Sequence, residues 1–509
     1  MTSQGDRRPA HLWALRSTLA VVILAYLVLP VIEARFILRS SANIPISDTW
    51  NFIPVIAGFV RTGHIPWAVI FKFYGAGRPV LERLGLLLDA KYFAMNVQLV
   101  KLSSVPVGIL ETACAICAFR FALPRARLVV VLLAAYPVAL VIFCWNNWQN
   151  LLDEWNLMNL AAVALGFLAI VLTGQLRSGS RKSTYLLLLV MLTCAVASFT
   201  GESGTLSWIA CALVLWLPFS RSHLAEKLAF SAVAVVFLVL YFVGSSGVVS
   251  GHPLHHMGTV VEFALICLGN GVVGGGVKEL ALARAIGVAE VAIALIVLGM
   301  WYVDRRLRED RAMHVAVGLM AFGAMAAVST ALSRLQIGID TAMSSRYVVL
   351  TAPVVIGIYL VLVRLFSLRE AGEGRVAFGL RTAGVLALPC LLAAVLSAVA
   401  VTSDIKLNKT SSSRRAYYVA LKHMTCDPDA YSNLDLSRFD HFGSLNSREK
   451  AELLAQIADL RRAKLSVFSG GLCWAYARAA ARGPRPESSR HADKSAREAR
   501  TGHRVPTAL

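Results

Sequence analysis

Asp48 stands two positions ahead of Trp50 in PISDTWNFIP, residues 45–54, soon after the first long apolar run of the chain. A lone carboxylate at that place has two readings. As a general base it takes a proton from an acceptor hydroxyl. As a helix N-cap it satisfies open backbone N–H groups, with Trp50 in an aromatic belt at headgroup level. The stretch Trp145-Asn146-Asn147-Trp148-Gln149-Asn150, followed by Asp153, Glu154 and Trp155, sets amides beside aromatic faces. Amides bond hydroxyls and a ring covers the apolar C–H face of a sugar. Asn147, Trp148 and Gln149 are therefore candidate substrate contacts, and the tryptophans also suit a belt.

Glu202 sits at the tip of the tight turn FTGESG, residues 199–204, which reads as a substrate-facing carboxylate or a plain solvated turn. Arg346, just before Tyr347 in SSRY, opens a late apolar run. A cation at a helix start opposes the dipole, so it makes sense as a bidentate phosphate ligand or as a group snorkelling to headgroups. Arg78 and Glu82, four apart in GAGRPVLERL, offer a further phosphate contact or a helix-surface ion pair. His64, in the same polar-poor region as Asp48, joins the candidate substrate contacts. His252, His255 and His256 have metal-binding spacing without acidic ligands and suit a solvated loop. Cys114 and Cys117 read CxxC inside an apolar run, where small core packing is the natural role. No residue is assigned to a metal.

These residues need something to hold them, and the composition says what. The 509 residues are 57% hydrophobic and 16% charged, with mean hydropathy +0.63. Soluble domains carry roughly 25% charged residues. Repeated apolar runs of about 17–22 residues match a hydrocarbon core of about 30 Å, so the chain reads as an all-α polytopic membrane protein. The net charge of +20 is concentrated in short loops, such as Arg305, Arg306, Arg308 and Arg311, while loops 145–156, 200–204 and 246–258 hold no Lys or Arg. That alternation follows the positive-inside rule. It excludes a nucleic-acid groove, which needs clustering on one soluble face.

The runs predict about 11 spans, at 12–32, 97–119, 127–144, 157–174, 184–199, 205–219, 228–245, 286–303, 313–332, 347–366 and 379–401. The N-terminus, 1–11, is then cytoplasmic and the C-terminus is outside. Residues 33–96 form a long first extracytoplasmic loop with interfacial helices. The glycine-rich run 260–277, interrupted by Glu262 and Asn270, reads as re-entrant, because a span there would turn the basic loop at 305–311 outward. The membrane domain covers 12–401. Beyond it, 402–474 is a small extracytoplasmic piece with a helix capped by Asn446 and Glu449, and 475–509 is a basic tail of disordered composition.

The D-x-W context at Asp48 and Trp50, the N-W-Q-N stretch at 147–150 and the S-x-R-Y start at Arg346 and Tyr347 resemble the GT-C superfamily of polytopic glycosyltransferases, over roughly residues 12–470. The resemblance implies a bacterial plasma-membrane enzyme with its active site facing the periplasm or cell exterior. It implies a polyprenyl-phosphate sugar as donor, an envelope glycan or lipid as acceptor, no nucleic acid and no separate cofactor. Asp48 would be the base and Arg346 the phosphate anchor, with Trp50, the 145–150 cluster and Glu202 near sugar or acceptor. Many relatives pair two acids in the first loop; here Ser47 precedes Asp48, which implies metal-independent transfer. Two other classes fit the layout: a flippase or transporter of lipid-linked saccharides, and a scaffold for envelope assembly. Against transport stands the small number of ionisable residues deep in the runs.

Overall fold

Apolar runs must become helices in lipid, since no water is present to satisfy exposed backbone groups. The computed structural model describes residues 7–41, 43, 45, 47–75, 77–143, 145–176, 181–217, 224–245, 257–273, 279–370 and 447–466. The chain divides into two units, Met1–Arg414 and Arg415–Leu509. Among the described residues every element is helical, apart from one isolated bridge between Tyr74 and Gly77.

In chain order the helices of the first unit begin with α1 (Arg7–Ser40). Three shorter ones in the first loop follow: α2 (Ile53–Thr62), α3 (Trp67–Ile70) and α4 (Val80–Phe93). Next come α5 (Val97–Leu102), α6 (Ser104–Ala122), α7 (Leu128–Ile142), α8 (Trp148–Leu152), α9 (Leu157–Thr173), α10 (Arg181–Ser198) and α11 (Leu206–Trp216). The rest are α12 (Leu224–Phe242), α13 (Met257–Val273), α14 (Leu280–Val303), α15 (Arg305–Arg308), α16 (Arg311–Arg334) and α17 (Val348–Glu370). The described helix of the second unit, α18 (Ser447–Arg462), falls where the apolar period predicted it; its expected cap, Asn446, lies outside the described residues.

Seven helices, among the described residues, are long and apolar enough to cross a membrane: Arg16–Ser40, Val97–Ala122, Glu154–Thr173, Leu224–Phe242, Leu280–Val303, Arg311–Ile337 and Ser345–Leu368. Leu128–Ile142, Lys182–Ser198, Glu202–Trp216 and Met257–Val273 are shorter apolar helices. The expected span 379–401 lies outside the described residues. Arg311–Ile337 and Ser345–Leu368 are 67% and 72% buried along their apolar windows and form the centre, whereas Leu224–Phe242, at 17%, forms part of the lipid-facing ring. Glu33, expected in the first outer loop, instead lies within α1, buried, where its carboxylate accepts from Ser104 Oγ at 2.9 Å.

Contacts between helix termini sort the two ends of this bundle. At one end Arg364 donates to Ala122 O at 2.9 Å and pairs with Asp310, and Ser183 donates to Glu226 at 2.8 Å. The basic loop 305–311 therefore shares an end with the close of α6. At the other end Asn150 bonds Arg346 O at 3.0 Å, Arg78 bonds Tyr241 O at 2.9 Å, and Leu81 N bonds Phe199 O at 3.1 Å. Asn270, near the close of α13, donates to Ser344 O at 3.1 Å at this same end. So α12 and α13 both finish on the end that carries the first loop. Consecutive spans alternate, and these two do not. The described part of the 260–277 run, up to Val273, is thus one helix with the residues before it and leaves the up-down order of its neighbours unreversed.

Helix α13 lies against α14 at backbone contact. A Cβ on Gly269 would fall 1.9 Å from Ala283 O, and one on Gly287 would fall 1.9 Å from Leu265 O. Small residues allow this approach where lipid supplies no hydrophobic drive between helices. Gly287→Ala should lower the thermal unfolding midpoint in detergent, by about 1–3 kcal/mol of overpacking. Gly299→Ala, whose added Cβ meets nothing within 4 Å, should not lower it.

Candidate active site

The site is assembled on residues 145–156, which fold as two 3-10 turns flanking α8 (Trp145–Asn147 and Glu154–Asn156). Asp153 caps the second turn by accepting from Trp155 N at 3.1 Å, and its other oxygen accepts from Asn156 Nδ2 at 3.0 Å. The segment faces the start of α17 on one side and the first loop on the other.

Towards α17, Gln149 forms a clasp. Its Oε1 accepts from Ser344 Oγ at 2.6 Å, Ser345 Oγ at 3.0 Å and Arg346 N at 3.1 Å, and its backbone N–H donates to Ser345 Oγ at 3.2 Å. Asn150 Nδ2 adds Arg346 O, and Asn159 Nδ2 in turn holds Asn150 Oδ1 at 3.2 Å. The amides expected to grip a sugar thus fix the turn that carries Arg346. The half-buried Arg346 guanidinium lies over the Tyr347 ring, 5.0 Å from its centroid. Arg346 Nε, Tyr347 OH and Asn147 Oδ1 are buried polar atoms without a hydrogen-bond partner among the described residues. Trp148 is half-buried beside them.

Towards the first loop, the 3-10 turn Ser47–Phe52 brings Asp48 against Tyr74, whose hydroxyl donates to its carboxylate. Asp48 lies inside this turn, and α2 starts after Phe52, so it does not cap that helix. Asn51 Nδ2 donates to the same phenol at 3.4 Å, and the Tyr74 ring meets Trp155 edge-on at 5.1 Å. Burial, then the Asp48 charge, pushes the Tyr74 phenol up to about 12, so it remains a donor at neutral pH. Trp50 is buried and belongs to the loop's interior rather than to a surface belt.

Behind Asp48 lies a desolvated acid cluster built from four elements. Lys101 of α5 pairs with Glu154 at 3.2 Å, both side chains fully buried. Asp153 is pushed well above the usual carboxylate range by burial, then by the charge of Glu154, with Asp48 adding and Lys101 opposing. Glu82 of α4 is pushed the same way by burial and then by Glu154 and Asp153. Its Oε1 has no hydrogen-bond partner among the described residues. Burial also raises Asp89 to about 6, with Glu154 contributing. Five carboxyls are thus linked electrostatically, and the one ammonium among them pairs with Glu154.

The structure brings Asp48, Glu82, Asn147, Trp148, Gln149, Arg346 and Tyr347 to one end of the bundle, and it gives other tasks to the remaining candidates. Arg78 does not pair with Glu82. Its guanidinium donates to the carbonyls of Tyr241, Phe71 and Val243, and it stacks on Phe73 at 4.2 Å. Its backbone N–H bonds Tyr241 OH at 2.8 Å, so it clamps the first loop to α12. Glu202 stands where that loop docks, since a Cβ on Gly77 would come within 3.0 Å of Glu202 N. His64 is exposed at the far end of α2. Asp153 and Glu154 were visible beside the amide stretch, as adjacent acids in a loop free of bases. Lys101 was visible as a lone cation at the start of a span, the kind of residue that marks a site. Tyr74 gave no sequence signal.

No family model matches the chain, and no curated protein matches it. Among solved structures the chain is similar to a crystal structure of ArnT from Cupriavidus metallidurans bound to undecaprenyl phosphate. The identity is 13%, the match covers 91% of this chain and 77% of that one, and the TM-score is 0.40. A likeness at that score carries no weight for function.

Two outcomes follow from the cluster. Lys101→Met should destabilise the fold by about 3–5 kcal/mol, because it strands a buried carboxylate, and Glu154→Gln in the same chain should recover part of that loss. Thermal unfolding of the single and double variants checks both. For Asp89 the folded state holds its proton more tightly than the unfolded chain does. Its favourable contribution is present below the unfolded pKa and is lost as pH rises through about 6. Asp89→Asn should therefore raise the unfolding midpoint at pH 7.5, by on the order of 2 kcal/mol, and leave it nearly unchanged at pH 4.

Proposed function

We propose that the chain is a membrane glycosyltransferase of GT-C type. It would move a sugar from a polyprenyl-phosphate donor to a glycan or lipid acceptor at the outer face of a bacterial plasma membrane. One observation carries the reading. Asp48 and Arg346 are held by one short segment: Asp48 through Tyr74, whose ring meets Trp155, and Arg346 through Gln149. A base and a cation carried by one such segment, at one end of a bundle of membrane-length helices, suit a sugar with its phosphate leaving group. The basic loops at the opposite end favour a cytoplasmic location there and an outward site here.

In this mechanism the Asp48 carboxylate takes the proton of an acceptor hydroxyl, and the acceptor oxygen forms a bond to the anomeric carbon. The bond from that carbon to the phosphate oxygen breaks, and its electron pair stays on the phosphate. Tyr74, donating to Asp48, holds the carboxylate in place. Arg346 binds the phosphate, and its turn is kept rigid by Gln149. Among the described residues no three of His, Cys, Asp and Glu are placed to hold a metal ion, and the mechanism routes no step through one.

A second reading, movement of a lipid-linked saccharide without chemistry, draws support from Glu33, Glu111 and Glu290. All three are carboxyl groups buried inside membrane-length helices, a feature that marks ion or substrate paths. The two readings separate in one assay. Membranes carrying wild type should pass label from a radiolabelled polyprenyl-phosphate sugar to a new acceptor, and Asp48→Asn should lower that transfer at least a hundredfold. Labelled donor that crosses proteoliposomes unconsumed would replace transfer with transport.

A further inference from the structure

Charged side chains on membrane-length helices turn inward to a partner or a water-filled cavity, because hydrocarbon cannot solvate them. Among the described ion pairs of the first unit, one departs from this. Lys101 and Glu154 are fully buried, Arg364 and Asp310 nearly so, and Arg305 pairs with Glu309 in a basic loop. Arg284 of α14 and Glu262 of α13 instead meet at 2.8 Å on the outside of the bundle, with side chains 52% and 38% exposed.

The pair also lies deep. Gly287 of α14 crosses α13 at Leu265. Arg284, before Gly287, is therefore nearer the end that carries the first loop than Glu262, before Leu265. Glu262 and Val273, where α13 closes, are about 16 Å apart along the helix axis, half of a hydrocarbon core of about 30 Å. Arg284 thus reaches towards the middle of the bilayer to meet the carboxylate, rather than snorkelling to headgroups. Val288, Val291 and Leu295 follow Arg284 at spacings of four, three and four residues, all exposed. That spacing keeps one edge of a helix against a partner helix, and a polar residue within it fixes the register.

We propose that this edge is a contact between two copies of the chain, related by a two-fold axis along the membrane normal. The two charged groups share one depth, since they are bonded to each other. A two-fold axis along the normal preserves depth, so it sets each Glu262 carboxylate against the partner's Arg284. The patch is its own complement, which is what an isologous contact requires. Closing it joins two lipid-exposed ion pairs into one ring of four charges and covers Val288, Val291 and Leu295. A different protein would have to bring a matching ion pair of its own at that depth. The inference does not depend on the transferase reading.

Charge reversal in full-length protein tests it. Two differently tagged wild-type chains, expressed together and captured through one tag in mild detergent, should co-purify. Arg284→Glu alone, or Glu262→Arg alone, should lower that capture about tenfold or more, because like charges then face each other across the axis. The Arg284→Glu chain expressed with the Glu262→Arg chain should restore it, since every facing pair is again of opposite sign. Neither variant has an internal ion pair to regain, so a purely intramolecular role gives no rescue. In an otherwise wild-type chain, Val288→Cys should link two copies on mild oxidation, and Ile293→Cys, on the far edge of α14, should not. Wild-type chains that do not capture one another, or mixed variants that do not recover, would overturn the contact. So would a different membrane protein that co-purifies with wild type and is lost in Arg284→Glu.

Discussion

One side-chain oxygen, Oε1 of Gln149, joins the middle of the chain to its later half. Three donors from Ser344, Ser345 and Arg346 converge on it, across almost two hundred residues of sequence. The turn it holds has little else to define its shape. Residues 335–347 form three consecutive short 3-10 turns, a conformation with poorer hydrogen-bond geometry than an α-helix. An amide oxygen in a site of low polarity supplies the missing acceptor, and a buried hydrogen bond there is costly to leave unmade. The direction of Arg346 follows from it.

The same short segment reaches the other way through Asp153 and Glu154. Their environment is set by what surrounds them: a fully buried ammonium at 3.2 Å, helix α4 with Glu82 and Asp89, and the turn that bears Asp48. Desolvation disfavours ionised carboxyls, and together with the neighbouring charges it pushes Glu82 and Asp153 well above the usual carboxylate range, so these two form a protonated backing layer. Asp48 lies half-buried at the edge of that layer, bonded to the Tyr74 phenol.

The first loop closes this arrangement. Arg78 satisfies carbonyls on α12 and on its own loop, and Arg83 does the same for Val69, Ile70 and Lys72. Arg78, which looks like a ligand in the sequence, and Arg83 beside it both serve as braces. A guanidinium has five donors in a fixed fork, and open carbonyls at the ends of short helices match it as well as a phosphate does.

Hydropathy and charge spacing alone determined that this is a helical membrane chain, where most of its spans lie, and that the 305–311 loop belongs with the other basic loops. Those properties are local: a run of apolar residues must be helical in lipid whatever its neighbours are. Asp48, Gln149 and Arg346 also stood out by residue type. What they do was decided only by the tertiary structure. Gln149 serves as a clasp because Ser344 and Ser345 arrive opposite it, and Arg78 serves as a brace because Tyr241 and Val243 present carbonyls to it. Lys101 and Glu154 gained meaning from each other across the sequence, and the close packing of α13 on α14 from glycines at their crossing. A side chain's chemistry depends on its burial and on the charge beside it, and neither is written at its own position.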